Sequence, residues 1–181
     1  MAILGFLLLA VLLVLSPMVW LRPSRGESLR SRLRQHAKQQ GGELNYSHSA
    51  SGSAASSPLA LPDVSLVGYR LRYPGKQTGS DFVAVRDVVA SDALESITPQ
   101  WRWRRAPLPR LDADRLQAFE AWLDSLPEDA LVVESRQHTL CVWWQERASL
   151  ETFEQEWASW MAMRDRMAGS GDVLKVPGSP P

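Results

Sequence analysis

The first 21 residues, Met1 to Leu21, contain no charged side chain, and no other feature constrains the chain as tightly. As a helix rising about 1.5 Å per residue, such a run would be about 31 Å long, close to the thickness of a hydrocarbon core. Ile3 to Leu15 is nearly all Leu, Val, Ile, Phe and Ala, broken by Gly5. Ser16 and Pro17 follow near the end, where a kink is tolerated, and Trp20 falls at headgroup level. A cleaved signal peptide would want Lys or Arg ahead of a shorter apolar core, then small residues at a cleavage site. This N-terminus carries no such cation, and Pro17 to Leu21 is bulky. A buried core helix is seldom apolar all round for so long. The run reads as a membrane anchor.

Charge sets the expected orientation. Between Arg22 and Gln40 lie six basic residues (Arg22, Arg25, Arg30, Arg32, Arg34, Lys38) against one acid, Glu27. Basic residues just past a span stay on the cytoplasmic side, which puts the short N-terminus outside and the rest in the cytoplasm. The lone cysteine, Cys141, permits no intramolecular disulfide and agrees with that compartment. Basic and acidic residues balance at 20 each, but residues 43–181 hold 14 basic against 19 acidic ones. A mildly acidic domain argues against nucleic acid as a partner.

Beyond the anchor, Glu27 to Gln40 reads as a basic juxtamembrane helix stopped by Gly41 and Gly42. Leu29, Leu33 and Ala37 form a narrow apolar stripe, and Arg30, Arg34 and Lys38 repeat the same spacing one position on. These three cations are candidate contacts for anionic lipid or for a protein partner, unless they merely continue the topology signal. Leu44 to Tyr46 suggests a short strand, and Ser47 to Pro58 a flexible Ser/Ala/Gly loop. Val67 to Tyr73 alternates as a half-buried strand, and Phe82 to Val89 is expected to pair with it. A helical turn is expected over Asp92 to Ser96.

Trp101-Arg102-Trp103-Arg104-Arg105 interleaves aromatic and cationic residues, as single-strand binders do. The same letters spell a strand with one buried and one wet face, and Trp and Arg are also favoured protein-contact anchors. A helix is expected from the N-cap Asp112 to Ser125, and a hairpin from Ala130–Glu134 and Leu140–Trp144 with a five-residue connection. In that hairpin Trp143 and Trp144 must face opposite sides. A last helix runs from the N-cap Ser149 to Met167, before a disordered tail over 169–181. Trp101, Trp103 and Trp144 are the candidate partner surface.

No catalytic constellation emerges. His36, His48 and His138 are scattered without metal-ligand spacing, and no GxSxG, phosphate-cradling Gly loop or HExxH occurs. No catalytic, cofactor-binding or metal-binding residue is assigned, and no cofactor is expected.

The span running into Leu21-Arg22-Pro23 and then a basic helix resembles YajC, the accessory subunit of the bacterial Sec preprotein translocase, over residues 1 to about 40. The whole chain, with Gly68-Tyr69-Arg70-Leu71 and a Trp-rich C-terminal half, looks more like a group of uncharacterised proteobacterial single-span proteins that sometimes carry the translocase label. That resemblance implies a bacterial inner membrane and no activity.

The expected fold class is α+β, with a transmembrane helix and basic juxtamembrane helix, then a small antiparallel sheet packed by two amphipathic helices. The expected divisions are 1–21 anchor, 22–42 basic helix, 43–63 strand and loop, 64–168 Trp-rich domain and 169–181 tail. The expected function is a single-pass inner-membrane protein presenting a cytoplasmic domain to a protein partner. A Sec accessory subunit and a membrane-tethered enzyme are the alternatives.

Overall fold

The computed structural model describes residues 25–46 and 66–171. The expected anchor, the Ser47 to Pro58 loop and the tail from residue 172 on lie outside the described residues. The elements in chain order are α1 (Arg25–Gln39), β1 (Glu43–Tyr46), β2 (Val67–Arg72), β3 (Asp81–Arg86), β4 (Glu95–Thr98), β5 (Trp101–Leu108), α2 (Ala113–Ser125), β6 (Ala130–Arg136), β7 (Thr139–Trp144) and α3 (Leu150–Met167). One antiparallel sheet holds all seven strands in the order β1-β2-β7-β6-β3-β5-β4.

The centre of the sheet goes to the strands that can be buried on both faces. β6 and β7 are buried along almost their whole length, and their hairpin inserts between β2 and β3. The expected pairing of β3 with β2 is therefore corrected: β2 pairs with β1 and β7, and β3 with β6 and β5. The β6–β7 connection is also tighter than expected, two residues rather than five, because Arg136 pairs with Thr139. Gln137 adopts φ 45°, the left-handed backbone that such tight hairpins require. Asp92 to Ser96 holds no helical turn and leads into β4; a short 3-10 turn lies earlier, at Asp87–Val89.

All three helices pack on one face. Asp112 and Ser149 accept the backbone N–H groups of Arg115 and Thr152, capping α2 and α3. Beneath them Tyr69, Trp144, Phe153, Trp157 and Trp160 form one aromatic group, with ring centroids 5.3–6.3 Å apart. Phe82, Trp103, Phe119 and Trp122 form another. Trp122 Nε1 donates to Ser159 Oγ at 3.0 Å, tying α2 to α3. The opposite face buries Val83, Val85, Val132, Cys141 and Trp143, with Val89, Ala90 and Leu94 against them. Trp143 and Trp144 thus serve two separate cores. Trp143 Nε1 donates to the buried Glu134 at 3.0 Å.

The expected fold class is corrected in two respects. The sheet has seven strands and three packed helices, the third being the basic helix that was expected to stand apart as a juxtamembrane element. Among the described residues no helix is long and apolar enough to cross a membrane. Gly169 to Gly171, expected to begin a disordered tail, lie against the start of β3: Ser80 N–H donates to Ser170 Oγ at 2.8 Å, and Gly171 N–H to Thr78 O at 3.0 Å.

Tyr73 supplies a pH test of this core. Its phenol shares a 2.7 Å hydrogen bond with Ser135, and burial pushes its pKa up from 10.0 to about 12. A raised folded-state value means that its contribution is complete below pH 10 and is lost as pH rises toward 12. Denaturant unfolding should show stability falling by about 2 to 3 kcal/mol from this group over that window. Tyr73→Phe should flatten that part of the profile. An unchanged alkaline slope would contradict the burial of the phenol.

Candidate functional site

The basic helix is where charge, exposure and the β1 edge, the end of the strand order among the described residues, meet. Leu33 and Ala37 on α1 are fully buried, and Leu29 packs beside them. Gly41, at φ 79°, lets the chain reverse after α1, and Gly42 passes so close to the Trp157 ring that a Cβ there would lie 2.4 Å from it. β1 then runs back along the helix.

An ion pair with a buried carboxylate and a half-buried guanidinium fastens the helix down. Arg34 Nε and Nη2 donate to Glu146 Oε1 and Oε2 at 2.8 and 2.6 Å, the two-pronged geometry of a strong guanidinium–carboxylate contact. Tyr69 Oη donates to Glu146 Oε1 at 2.7 Å, and the Arg34 guanidinium lies 5.3 Å from the Tyr46 ring centre. The Glu146 side chain is only 2% exposed, against 32% for Arg34. Glu146 follows β7 at φ 58°, a left-handed conformation that costs an L residue about 1 to 2 kcal/mol. The hydrogen bond to Glu146 raises the pKa of Arg34, while burial, then Glu146, raises that of Tyr69.

Arg30 and Lys38 flank Arg34 one turn to either side. Both are exposed, and neither has an ion pair among the described residues. Together with Arg34, Gln35, the half-exposed Tyr46 and one acid, Glu27, they line an open groove of about 490 Å³. The structure thus brings three cations of the basic helix, Arg30, Arg34 and Lys38, to one groove, with Arg34 committed to an internal pair, while the exposed Arg32 does not line it.

The three expected surface tryptophans do not join them. Trp101 and Trp144 are fully buried and Trp103 nearly so, because their strand positions point at the helices. They build the core and leave no ring free to stack a base. Trp101 lies under the buried Arg86, whose guanidinium is 4.9 Å from the ring centre. Arg86 donates to Ala130 O at 2.9 Å, Leu126 O at 3.1 Å, Pro127 O at 2.9 Å and Gln100 Oε1 at 2.8 Å. It satisfies carbonyls just beyond the C-terminus of α2, where the helix dipole favours a cation.

No group of three His, Cys, Asp or Glu side chains could hold a metal ion among the described residues. Burial pushes the Cys141 thiol well above its ordinary pKa, so it is a poor nucleophile. A second open groove, about 620 Å³, runs past Val88, Glu128, Asp129 and Arg147, and Asp129 there accepts the Arg147 N–H at 2.9 Å. Glu146 and Arg86 escaped the sequence reading. Nothing local marks an acid just after a strand, or an Arg at a strand end, as a buried partner.

Neither a protein-family model nor a curated protein matches the chain. Among solved structures the chain is similar to the mycobacterial trehalose monomycolate transport factor A, TtfA, at 13% identity and a TM-score of 0.42, over 87% of this chain and 99% of that one. A likeness that loose carries no argument about function. The resemblance to YajC and to the proteobacterial single-span group is corrected accordingly, since no family or curated match supports it. The expectations of a membrane span as partner, of single-pass inner-membrane placement with a cytoplasmic domain, and of a Sec accessory role are corrected with it. They required a span, and no described helix is long and apolar enough to cross a membrane.

The ion pair predicts an asymmetric response. Arg34→Met strands a buried carboxylate and should cost about 3 to 5 kcal/mol. Glu146→Gln leaves a guanidinium that reaches water and should cost clearly less. The double variant Arg34→Met/Glu146→Gln should be more stable than Arg34→Met alone, as read from denaturant midpoints. Equal costs for the two single variants would contradict the burial asymmetry.

Proposed function

We propose that this chain is a non-catalytic protein-interaction domain that contacts its partner through the side formed by α1 and β1. The observation that carries the reading is the pair of exposed cations that line the groove, Arg30 and Lys38, which have no ion pair among the described residues, on a helix fastened by the Arg34–Glu146 pair. A rigid helix presents such charges without the ordering cost that a loose segment would bear on binding. The described tryptophans fill cores, Arg86 satisfies carbonyls beyond α2, and Cys141 is buried. Tyr46, half exposed beside the cations, adds the kind of rigid aromatic contact on which protein interfaces rely.

A photo-crosslinking residue at Gln35, which lines the groove, should yield one dominant protein adduct in the native host. The same residue at the exposed Gln117 on α2 should not. Arg30→Glu/Lys38→Glu should abolish the Gln35 adduct while leaving the fold intact by circular dichroism. Equal adducts from both positions, or an adduct indifferent to charge reversal, would contradict the proposal.

A further inference from the structure

The groove adjoins an unusual resource, the outer edge of a sheet. β1 ends the strand order on its side, so its outward N–H and C=O groups have no neighbouring strand among the described residues. Such an edge is a ready template for an added strand. Tyr46, near the end of β1, touches Arg34 in the middle of α1, so the strand returns antiparallel along the helix. Leu44 packs into the helix-side core, which puts Tyr46, two residues on, on that same face. A strand added to β1 would therefore turn every second side chain toward the flank of α1 that carries Arg30 and Lys38.

The spacing matches. Arg30 and Lys38 are eight residues apart on one helix, about 12 Å along its axis. Side chains at i and i+4 of a strand lie about 13 Å apart on one face. Each outer strand carries an exposed glutamate, but Glu43 on β1 is paired with Arg72, whereas Glu95 on β4 has no ion pair among the described residues and its neighbour Arg102 is already paired with Asp87 and Asp92. The exposed Arg104 and Arg105 lie further along β5, past the stretch that β4 covers. The cations beside β1 favour an acidic strand there.

Resting on the interaction-domain reading above, we infer that the partner contributes an extended acidic segment, which adds to β1 as an eighth strand and places carboxylates at i and i+4 on Lys38 and Arg30. Backbone hydrogen bonds to β1 hold the segment, and the two cations select its charge and register.

The test uses the full chain and a ten-residue peptide with Glu at i and i+4 and Val, Ile and Thr between. Titration followed by NMR should move the amides of Leu44, Asn45 and Tyr46, and amide exchange on β1 should slow. Binding should weaken at least tenfold when Glu is replaced by Lys, when alternate peptide nitrogens are methylated, or in Arg30→Glu/Lys38→Glu. Equal binding of the Lys peptide, equal binding of the methylated peptide, or shifts centred on β4 would overturn the inference. So would binding of anionic lipid vesicles with none of the peptide. If the Gln35 crosslink to a protein stands while no acidic peptide engages β1, the interaction domain survives and strand addition alone falls.

Discussion

The ion pair between Arg34 and the buried Glu146 decides what kind of domain this is. Without it, α1 would be held by Leu33, Ala37 and Leu29 and by the edge of His36 against Phe153, a narrow contact for a helix of 15 residues. With it, the basic helix becomes the lid of an aromatic core. Tyr69 joins the pair through its hydroxyl while its ring packs on Trp144, Phe153, Trp157 and Trp160. One carboxylate therefore couples three elements far apart in sequence: α1, β2 and the turn after β7. Removing water from that carboxylate is costly unless every oxygen is occupied, and both are.

The same logic runs through the other polar groups drawn inward. Arg86 lies in the core because α2 ends there with free carbonyls, and the Trp101 face covers its guanidinium. Glu134, under the second face, is the exception: one oxygen accepts from Trp143, while the other makes no hydrogen bond and lies 3.4 Å from Arg136 Nε. These contacts fix the register of neighbouring strands as much as they stabilise them.

Local patterns were legible in the sequence and long-range partnerships were not. The caps at Asp112 and Ser149 follow from residue type ahead of an apolar repeat, and both are present. The opposed faces of Trp143 and Trp144 follow from strand geometry. The placement of the β6–β7 hairpin between β2 and β3 left no such mark, because strand order depends on which pair buries both faces. The spacing of Trp101 and Trp103 favours a buried strand face over a contact surface, and all three rings, Trp144 included, lie in the core. The basic helix misled most. Its charges fitted a continuation beyond a span, whereas Arg34 needed Glu146, 112 positions away, to show its purpose.

Whether α1 is part of the domain is the point on which the account turns. Native-state hydrogen exchange on Leu33 to Lys38, compared with β2 and β7, addresses it directly. The account predicts that these α1 amides open with a free energy close to that of the central strands, and that Arg34→Met lowers it selectively. Exchange in α1 at near-unprotected rates, while β2 and β7 stay fully protected, would show a helix that is not held by the pair and would contradict the account.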